Sequence, residues 1–172
     1  MRHSRLVHFG LFVILFTLDF IVQTFFNMRG FRSIYFVSQM HLLGLFMMTE
    51  QDGRFEITLK LACLAFFVDL LHYQTFPIFY ISYGLAAILV RIWYRHIGNT
   101  YIELSMLMGI GLLVKELTMY YSLYFLKGQT IPLMQWLASR SVWVILGNLL
   151  FLPIVHKLFK ESNKIIHKIT YR

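Results

Sequence analysis

Five charged residues lie inside or at the edges of long apolar segments of this sequence: Asp19, Asp69, Lys115, Glu116 and Arg140. A charged side chain at the centre of a bilayer costs about 2.5–3.5 kcal/mol, so such residues usually face other protein groups and find a partner. These five residues could line a polar transport pathway, form internal ion pairs, or make a patch that another membrane protein buries. We favour the structural roles, because transport pathways usually contain helices broken by Gly or Pro near mid-membrane.

The partners of these charges depend on where the last apolar helix begins. At 1.5 Å per residue, Glu116 lies about 15 Å and Asp19 about 10 Å from the outer ends of their helices. If the last helix begins near Pro132, Arg140 lies about 12 Å deep and can reach Glu116 or Asp19. If it begins near Val142, Arg140 is interfacial and Lys115 becomes the better partner.

The composition indicates the elements that must hold these charges. Of 172 residues, 58% are hydrophobic and only 14% are charged, whereas soluble domains carry about 25% charged residues. Apolar segments recur between short charged islands, which is typical of multiple membrane helices. Six spans of about 20 residues would use about 120 positions, which leaves no room for a soluble domain. We therefore predict an all-α, polytopic integral membrane protein with a single transmembrane domain.

We predict six transmembrane helices, at about residues 6–26, 33–48, 57–71, 76–93, 101–126, and 133–159 or 142–159. The second differs from the others, because it is short and contains Gln39 and His41. A tilted helix, a locally thinned bilayer or a re-entrant segment are alternatives there. We interpret His41 as a hydrogen-bonded packing residue rather than a metal ligand, because no second ligand lies at helical spacing.

Asp69 and Pro77 flank a predicted hairpin between the third and fourth helices. Asp69 lies about one turn from the outer end of its helix. This position favours a cap for backbone N–H groups, a loop anchor or a partner contact over a buried proton site. Replacing Asp69 should therefore weaken folding or assembly rather than abolish a reaction.

The distribution of Lys and Arg predicts that both termini are cytoplasmic. With six spans, the inner side holds eleven basic residues: Arg2, Arg5, Arg54, Lys60, Arg91, Arg95, Lys157, Lys160, Lys164, Lys168 and Arg172. The outer side holds three, namely Arg29, Arg32 and Lys127.

The C-terminal segment 157–172 has the pattern of a basic amphipathic helix. Lys160, Lys164 and Lys168 recur every fourth residue, and isoleucines recur between them at helical spacing. We predict a cytoplasmic tail on the membrane surface, where anionic lipid contributes about 1 kcal/mol per lysine.

The motifs of common catalytic and cofactor sites are not found in this sequence. It contains no HExxH, no phosphate-binding glycine loop and no serine elbow, so we predict no enzymatic activity, no cofactor and no metal. The net charge of +8 comes without an aromatic-interleaved basic module, which argues against nucleic-acid binding.

Three segments carry a resemblance to a known family: FFVDLLHYQTFPIFY (66–80), LLVKELTMYYSLYFL (112–126), and VILGNLLF (144–151), which contains Asn148. Together with six short spans, they resemble the rod shape-determining protein MreD of low-GC Gram-positive bacteria. The resemblance implies a non-catalytic membrane component of the peptidoglycan-elongation complex that determines cell shape with an MreC-like partner. It also implies contact with the polymerase and transpeptidase assembly and, in rod-shaped cells, with the cytoskeletal protein MreB.

The alternative function is that of the substrate-binding membrane subunit (S-component) of an energy-coupling-factor vitamin transporter. That family is similar in size and in its six-helix arrangement. It usually carries AxxxA-type motifs, which the first helix here does not contain. An intramembrane protease or lipid-modifying enzyme is a third hypothesis, but it needs paired polar catalytic residues that the sequence does not assemble.

Overall fold

The computed structural model describes residues 2–28, 36–49, 53–71, 77–94, 96 and 100–170. All regular structure in these ranges is helical, which confirms the predicted all-α fold for them. The helices are α1 (Arg2–Met28), α2 (Met40–Met48), α3 (Arg54–Leu71), α4 (Ile78–Tyr94), α5 (Tyr101–Lys127), α6 (Leu133–Trp136) and α7 (Val142–Thr170). A π-helical turn, Leu137–Ser141, joins α6 to α7, so the last three elements form one continuous helical run.

Two helical segments are long and apolar enough to cross a membrane: Leu6–Phe26, with 21 residues, and Leu133–Ile169, with 37 residues. Only 17% and 28% of their most apolar windows are buried inside the molecule. A core helix of a soluble protein is instead mostly buried. These two segments therefore direct their apolar side chains outward, as membrane helices do.

The short helix α2 lies at the centre of the molecule. It packs against α1, α3, α4 and α7. Around it, α1 packs on α7, α7 packs on α5, α5 packs on α4, and α4 packs on α3. All nine residues of α2 are buried. Four of the longer helices, α1, α3, α4 and α7, thus surround α2, and a crevice of about 500 Å³ lies between α1 and α3.

Local signals explain the ends of α5 and its close packing. Thr100 and Glu103 form a reciprocal capping box at the start of the helix, and Gly128 ends it in the left-handed conformation at φ 65°. At Gly111, an added Cβ would lie 2.7 Å from Val90 Cγ2 and 2.8 Å from Phe46 Cε2. Glycine at this position therefore allows α5 to approach both α4 and α2 closely.

The predicted helix over residues 33–48 is wrong in its described part. Residues 36–39 are not helical, and α2 begins only at Met40. With nine residues, α2 is about 14 Å long, less than half of the hydrocarbon thickness of about 30 Å. The physical reason is that side chains from distant helices bind the backbone of this segment, as described below.

The other helix bounds lie close to the predicted ones. The last helical run begins at Leu133, which corresponds to the earlier of the two predicted starts. The turn of the hairpin after Asp69 falls at residues 72–76, outside the described residues.

Candidate functional site

The first buried polar cluster, which we call the α2 cap, consists of Asp19, Gln23, Ser38, His41 and Asn148. At its centre, Asp19 Oδ1 accepts hydrogen bonds from the Ser38 hydroxyl and, at 2.8 Å, from the Met40 N–H. Asp19 Oδ2 accepts from His41 N at 2.8 Å and contacts His41 Nδ1 at 2.5 Å. A carboxylate offers about four lone-pair sites, so these four contacts saturate Asp19.

The position of Asp19 also suits its charge. Its carboxylate lies at the N-terminal end of α2, where the first N–H groups of a helix have no intrahelical acceptor. An acid at this end is favoured by the helix dipole. Asp19 therefore serves as a cap for α2 that comes from another helix.

Asn148 of α7 holds the non-helical segment before α2. Its Oδ1 accepts from Gln39 N at 2.6 Å, and its Nδ2 donates to Val37 O at 2.8 Å and to Val144 O at 2.7 Å. Non-helical backbone at membrane depth is tolerated where protein groups satisfy it. Asn148 provides such groups across a sequence separation of 109 residues.

Gln23 of α1 binds the same segment from the other side. Its Nε2 donates to Phe36 O at 3.1 Å, and its Oε1 accepts from Ser38 N at 3.1 Å. Two amide side chains on α1 and α7 thus replace the hydrogen bonds that a helix would have made. The α2 cap joins three elements that are far apart in the chain.

His41 extends the cap towards α4. The side chain is buried, and its Nε2 lies 3.3 Å from Tyr83 Oη. Because Nδ1 faces the Asp19 carboxylate, we assign the proton to Nδ1, so that Nε2 accepts from the tyrosine hydroxyl. The predicted hydrogen-bonded role of His41 is confirmed.

The second polar cluster, which we call the charge cluster, consists of Lys115, Glu116, Trp136 and Arg140. Lys115 Nζ lies 2.6 Å from Glu116 Oε1, and Arg140 Nε lies 3.0 Å from Glu116 Oε2. Arg140 therefore contacts Glu116, one of the two partners expected for the earlier helix start, and Asp19 is not its partner. Lys115 also contacts Glu116, although its pairing was expected only for the later start. Lys115 and Glu116 are fully buried.

Aromatic rings lie next to both cations of the cluster, Lys115 and Arg140. Lys115 Nζ lies 5.7 Å from the ring centroid of Phe79 and 5.9 Å from that of Tyr83. Arg140 Cζ lies 5.1 Å from the ring centroid of Trp136. Such cation–π contacts contribute about 2 kcal/mol or more when desolvated. Arg140 itself belongs to the π-helical turn, a distortion that is frequent at functional sites.

Asp69 caps α4. Its Oδ1 accepts from Phe79 N and its Oδ2 from Tyr80 N, both at 3.2 Å, and the side chain is buried. Pro77 directly precedes α4, and its carbonyl accepts a hydrogen bond from Ile81 N in the first turn of that helix at 3.2 Å. Of the three roles that the sequence suggested for Asp69, the contacts show the cap.

The predicted tail is the C-terminal part of α7, which continues without interruption to Thr170. Lys160, Lys164 and Lys168 are exposed along it, and Lys164 pairs with Glu161 at 2.6 Å. Phe159 is buried and stacks on His8 of α1. The binding of this lysine row to anionic lipid stays a prediction.

Sequence reasoning missed that Trp136 belongs to the charge cluster and that Tyr83 contacts both His41 and Lys115. It also missed that Gln23 binds the backbone of the segment that contains Ser38. The polar residues Ser38, Gln39 and His41 within an otherwise apolar stretch were the available signal. Within the described ranges, no three His, Cys, Asp or Glu side chains come together in a way that could hold a metal ion.

No protein-family model, no curated protein and no solved structure matches this chain.

Proposed function

We propose that this protein is a non-catalytic, multi-pass component of a bacterial cell membrane that acts in peptidoglycan elongation with an MreC-like partner. A structural role for the buried acid of α1 is supported by one observation, the saturation of Asp19 by four contacts. A general base needs a lone pair that can reach a substrate proton, and Asp19 has none left. The role in cell elongation is supported by the sequence resemblance to MreD.

The proposed topology has six passes and cytoplasmic termini, and its second pass is composite. Residues 36–39 are non-helical, and the nine residues of α2 follow directly. At no more than about 3.3 Å per non-helical residue and 1.5 Å per helical residue, the two parts span at most about 27 Å. That upper limit is close to the hydrocarbon thickness of about 30 Å, which supports the proposal that the two parts together make the second pass.

In this proposal, the α2 cap holds α1, α2 and α7 together, and the outward-facing surfaces of the helices bind partner proteins. Large apolar side chains on α1, such as Phe9, Phe20 and Phe25, are more than half exposed. These side chains suit either lipid or the single span of an MreC-like protein. The polymerase and transpeptidase assembly and, in rod-shaped cells, MreB are further proposed partners.

Depletion of the protein in its own host tests this proposal. Cells should become round or wide, and tagged protein should co-purify an MreC-like single-span protein from solubilised membranes. An unrelated multi-pass protein carrying the same tag is the control for non-specific capture. Normal cell shape after complete depletion would contradict the proposal.

A vitamin-transport subunit is the second candidate, and one observation favours it. Gln39 is 1% exposed, and neither the nitrogen nor the oxygen of its side-chain amide has a hydrogen-bond partner among the described residues. A small polar solute could satisfy this amide. Tight vitamin binding by the purified protein, lost in Gln39→Leu, would favour the transporter over the elongation component.

A further inference from the structure

The charge cluster is not neutral. Lys115 and Arg140 both contact the single carboxylate of Glu116, so two positive charges face one negative charge. An unpaired charge in a desolvated or membrane-embedded site is costly. A second anion beside Arg140, the more exposed of the two cations, would therefore stabilise the cluster.

The other described acids are engaged elsewhere. Asp19 is saturated at the α2 cap, and Asp69 binds the first amides of α4. The rest are Glu56 in the first turn of α3, Glu103 in the capping box of α5, and Glu161 in its pair with Lys164. Glu50 and Asp52 lie outside the described residues. None of the described acids therefore supplies the missing charge.

Arg140 has donors that can take another anion. Only its Nε bonds to Glu116, while Nη2 lies 3.8 Å from Met119 Sδ, a weak acceptor. The side chain is 18% exposed, whereas Glu116 is completely buried. An anion from outside can therefore reach the guanidinium without entering the core.

Trp136 adds a second donor at the same place. Its indole N–H is buried and has no hydrogen-bond partner within the described part of the chain. The ring to which it belongs lies 5.1 Å from Arg140 Cζ. A buried donor without an acceptor costs about 1–3 kcal/mol, and a bound acceptor would remove this cost.

The surroundings indicate where the anion comes from. The ring of Trp136 lies 5.8 Å from that of Tyr120, and the nearby aromatic residues Tyr121, Tyr124 and Trp143 are exposed. Trp and Tyr concentrate at membrane–water interfaces, at the level of the lipid headgroups. The backbone of Arg140 lies about 12 Å along the helical run from Pro132, but its guanidinium reaches back to the ring of Trp136, one turn nearer the outer end. The abundant anion at the headgroup level is the lipid phosphate, which pairs well with arginine.

We propose that Arg140 and Trp136 bind the phosphate group of a membrane lipid, so that the phosphate completes the charge balance of Lys115, Glu116 and Arg140. The N–H groups of the guanidinium donate to phosphate oxygens, and the indole N–H donates to another. This site rests on the proposed membrane location but not on the proposed role in cell elongation. A lipid headgroup and free phosphate share this chemistry, and the experiment separates them.

The test uses the full-length protein purified in detergent and delipidated. Native mass spectrometry measures lipid retention, and thermal unfolding is followed with added phosphatidylglycerol, a phosphate-free diacylglycerol glycolipid, or inorganic phosphate. The variants are Arg140→Gln and Trp136→Phe, which keeps an aromatic ring but removes the donor. Lys127→Gln is the matched control, because it also removes one positive charge, from an exposed site at the end of α5.

The wild-type protein should retain phosphatidylglycerol and be stabilised by it, and the glycolipid should have little effect. Arg140→Gln should lower phosphatidylglycerol retention about tenfold, and Trp136→Phe about threefold. Lys127→Gln should behave like the wild-type protein. Equal retention by Arg140→Gln and the wild type, or equal stabilisation by the glycolipid, would overturn the site. Stabilisation by inorganic phosphate alone would overturn the lipid as its source.

If Arg140→Gln does not accumulate, Trp136→Phe alone decides the matter. It keeps every charge, and unchanged retention in this variant would then overturn the proposal. A variant that loses lipid retention while the host keeps its normal cell shape would support the lipid site and show that it is separate from the proposed role in elongation.

Discussion

The two polar clusters differ in how completely the chain satisfies them. In the α2 cap, the carboxylate of Asp19 has as many hydrogen-bonding contacts as it has lone-pair sites. In the charge cluster, Glu116 faces two cations, and the indole N–H of Trp136 has no partner among the described residues. The carboxylate of Asp19 has no site left for an outside group, whereas the charge cluster is open to one.

This difference suggests different roles for residues that look alike in sequence. Asp19 and Arg140 are both single charges within apolar segments. Asp19 stabilises a short helix from within the fold, whereas Arg140 lies in a π-helical turn with part of its side chain exposed. A charge in a membrane segment is therefore better judged by its unused donors and acceptors than by its depth.

The largest effect is expected from Asp19→Ala. The substitution leaves the Ser38 hydroxyl, the Met40 and His41 amides and His41 Nδ1 without their acceptor. Removing one partner of a buried, hydrogen-bonded charge costs about 3–5 kcal/mol, so we expect little folded protein. Fluorescence-detected size-exclusion chromatography of membrane extracts measures the yield. Glu161→Ala, an exposed acid on α7, should leave the yield unchanged, and a normal yield for Asp19→Ala would contradict the capping role of Asp19.

Glu116→Gln should have the next largest effect, because it leaves Lys115 and Arg140 without their shared anion. We expect a loss of about 3 kcal/mol or more in the free energy of unfolding. Lys115→Met leaves the balanced pair of Glu116 and Arg140, so it should cost less than Glu116→Gln. Thermal unfolding of the two variants in the same detergent provides the comparison. Equal losses would show that charge balance does not control this cluster.

Asn148→Ala should cost less than either acid substitution. It removes three hydrogen bonds to the backbone around residues 37–39 and at Val144, but no charge is left unpaired. A buried polar group without a partner costs about 1–3 kcal/mol. In hydrogen-exchange measurements, the Gln39 amide should exchange faster in the variant than in the wild type, and this increase should be larger than any increase in α5. Unchanged exchange there would mean that the segment is held by packing instead.

Asp69→Asn should have the smallest effect of this series. The amide keeps one acceptor for the Phe79 or Tyr80 N–H but loses the charge at the start of α4. Loss of a cap typically costs about 1 kcal/mol, which lowers the unfolding temperature by a few degrees. Asp69→Ala removes both acceptors and should lower it further. A larger effect of Asn than of Ala would contradict the capping role.

The sequence allowed good prediction of the long helices and poor prediction of α2. The apolar run of α5 begins and ends within a residue or two of its predicted bounds, because its length and its terminal Thr100 and Gly128 are local signals. Met40–Met48 is equally apolar, but its length is determined by Asp19 and Asn148, which are distant in the chain. No local pattern carries that information.

The same reasoning explains the partial success at the site. Counting depth along the helices correctly predicted that Arg140 could reach Glu116, because the two residues lie at similar distances from the turn that joins α5 to α6. The pairing of Asp19 with His41 depended on the non-helical course of residues 36–39, which the predicted second helix excluded. The open donor of Trp136 lies directly before the π-helical turn, for which the sequence contains no recognised signal.

Parallel thermal unfolding of Asp19→Asn and Arg140→Gln, each measured after delipidation, tests the contrast between the clusters most directly. Asp19→Asn replaces an acceptor in the α2 cap by a donor and should strongly lower the unfolding temperature. Arg140→Gln leaves the neutral pair of Lys115 and Glu116 and should lower it little. An unfolding temperature that falls as far for Arg140→Gln as for Asp19→Asn would contradict the account.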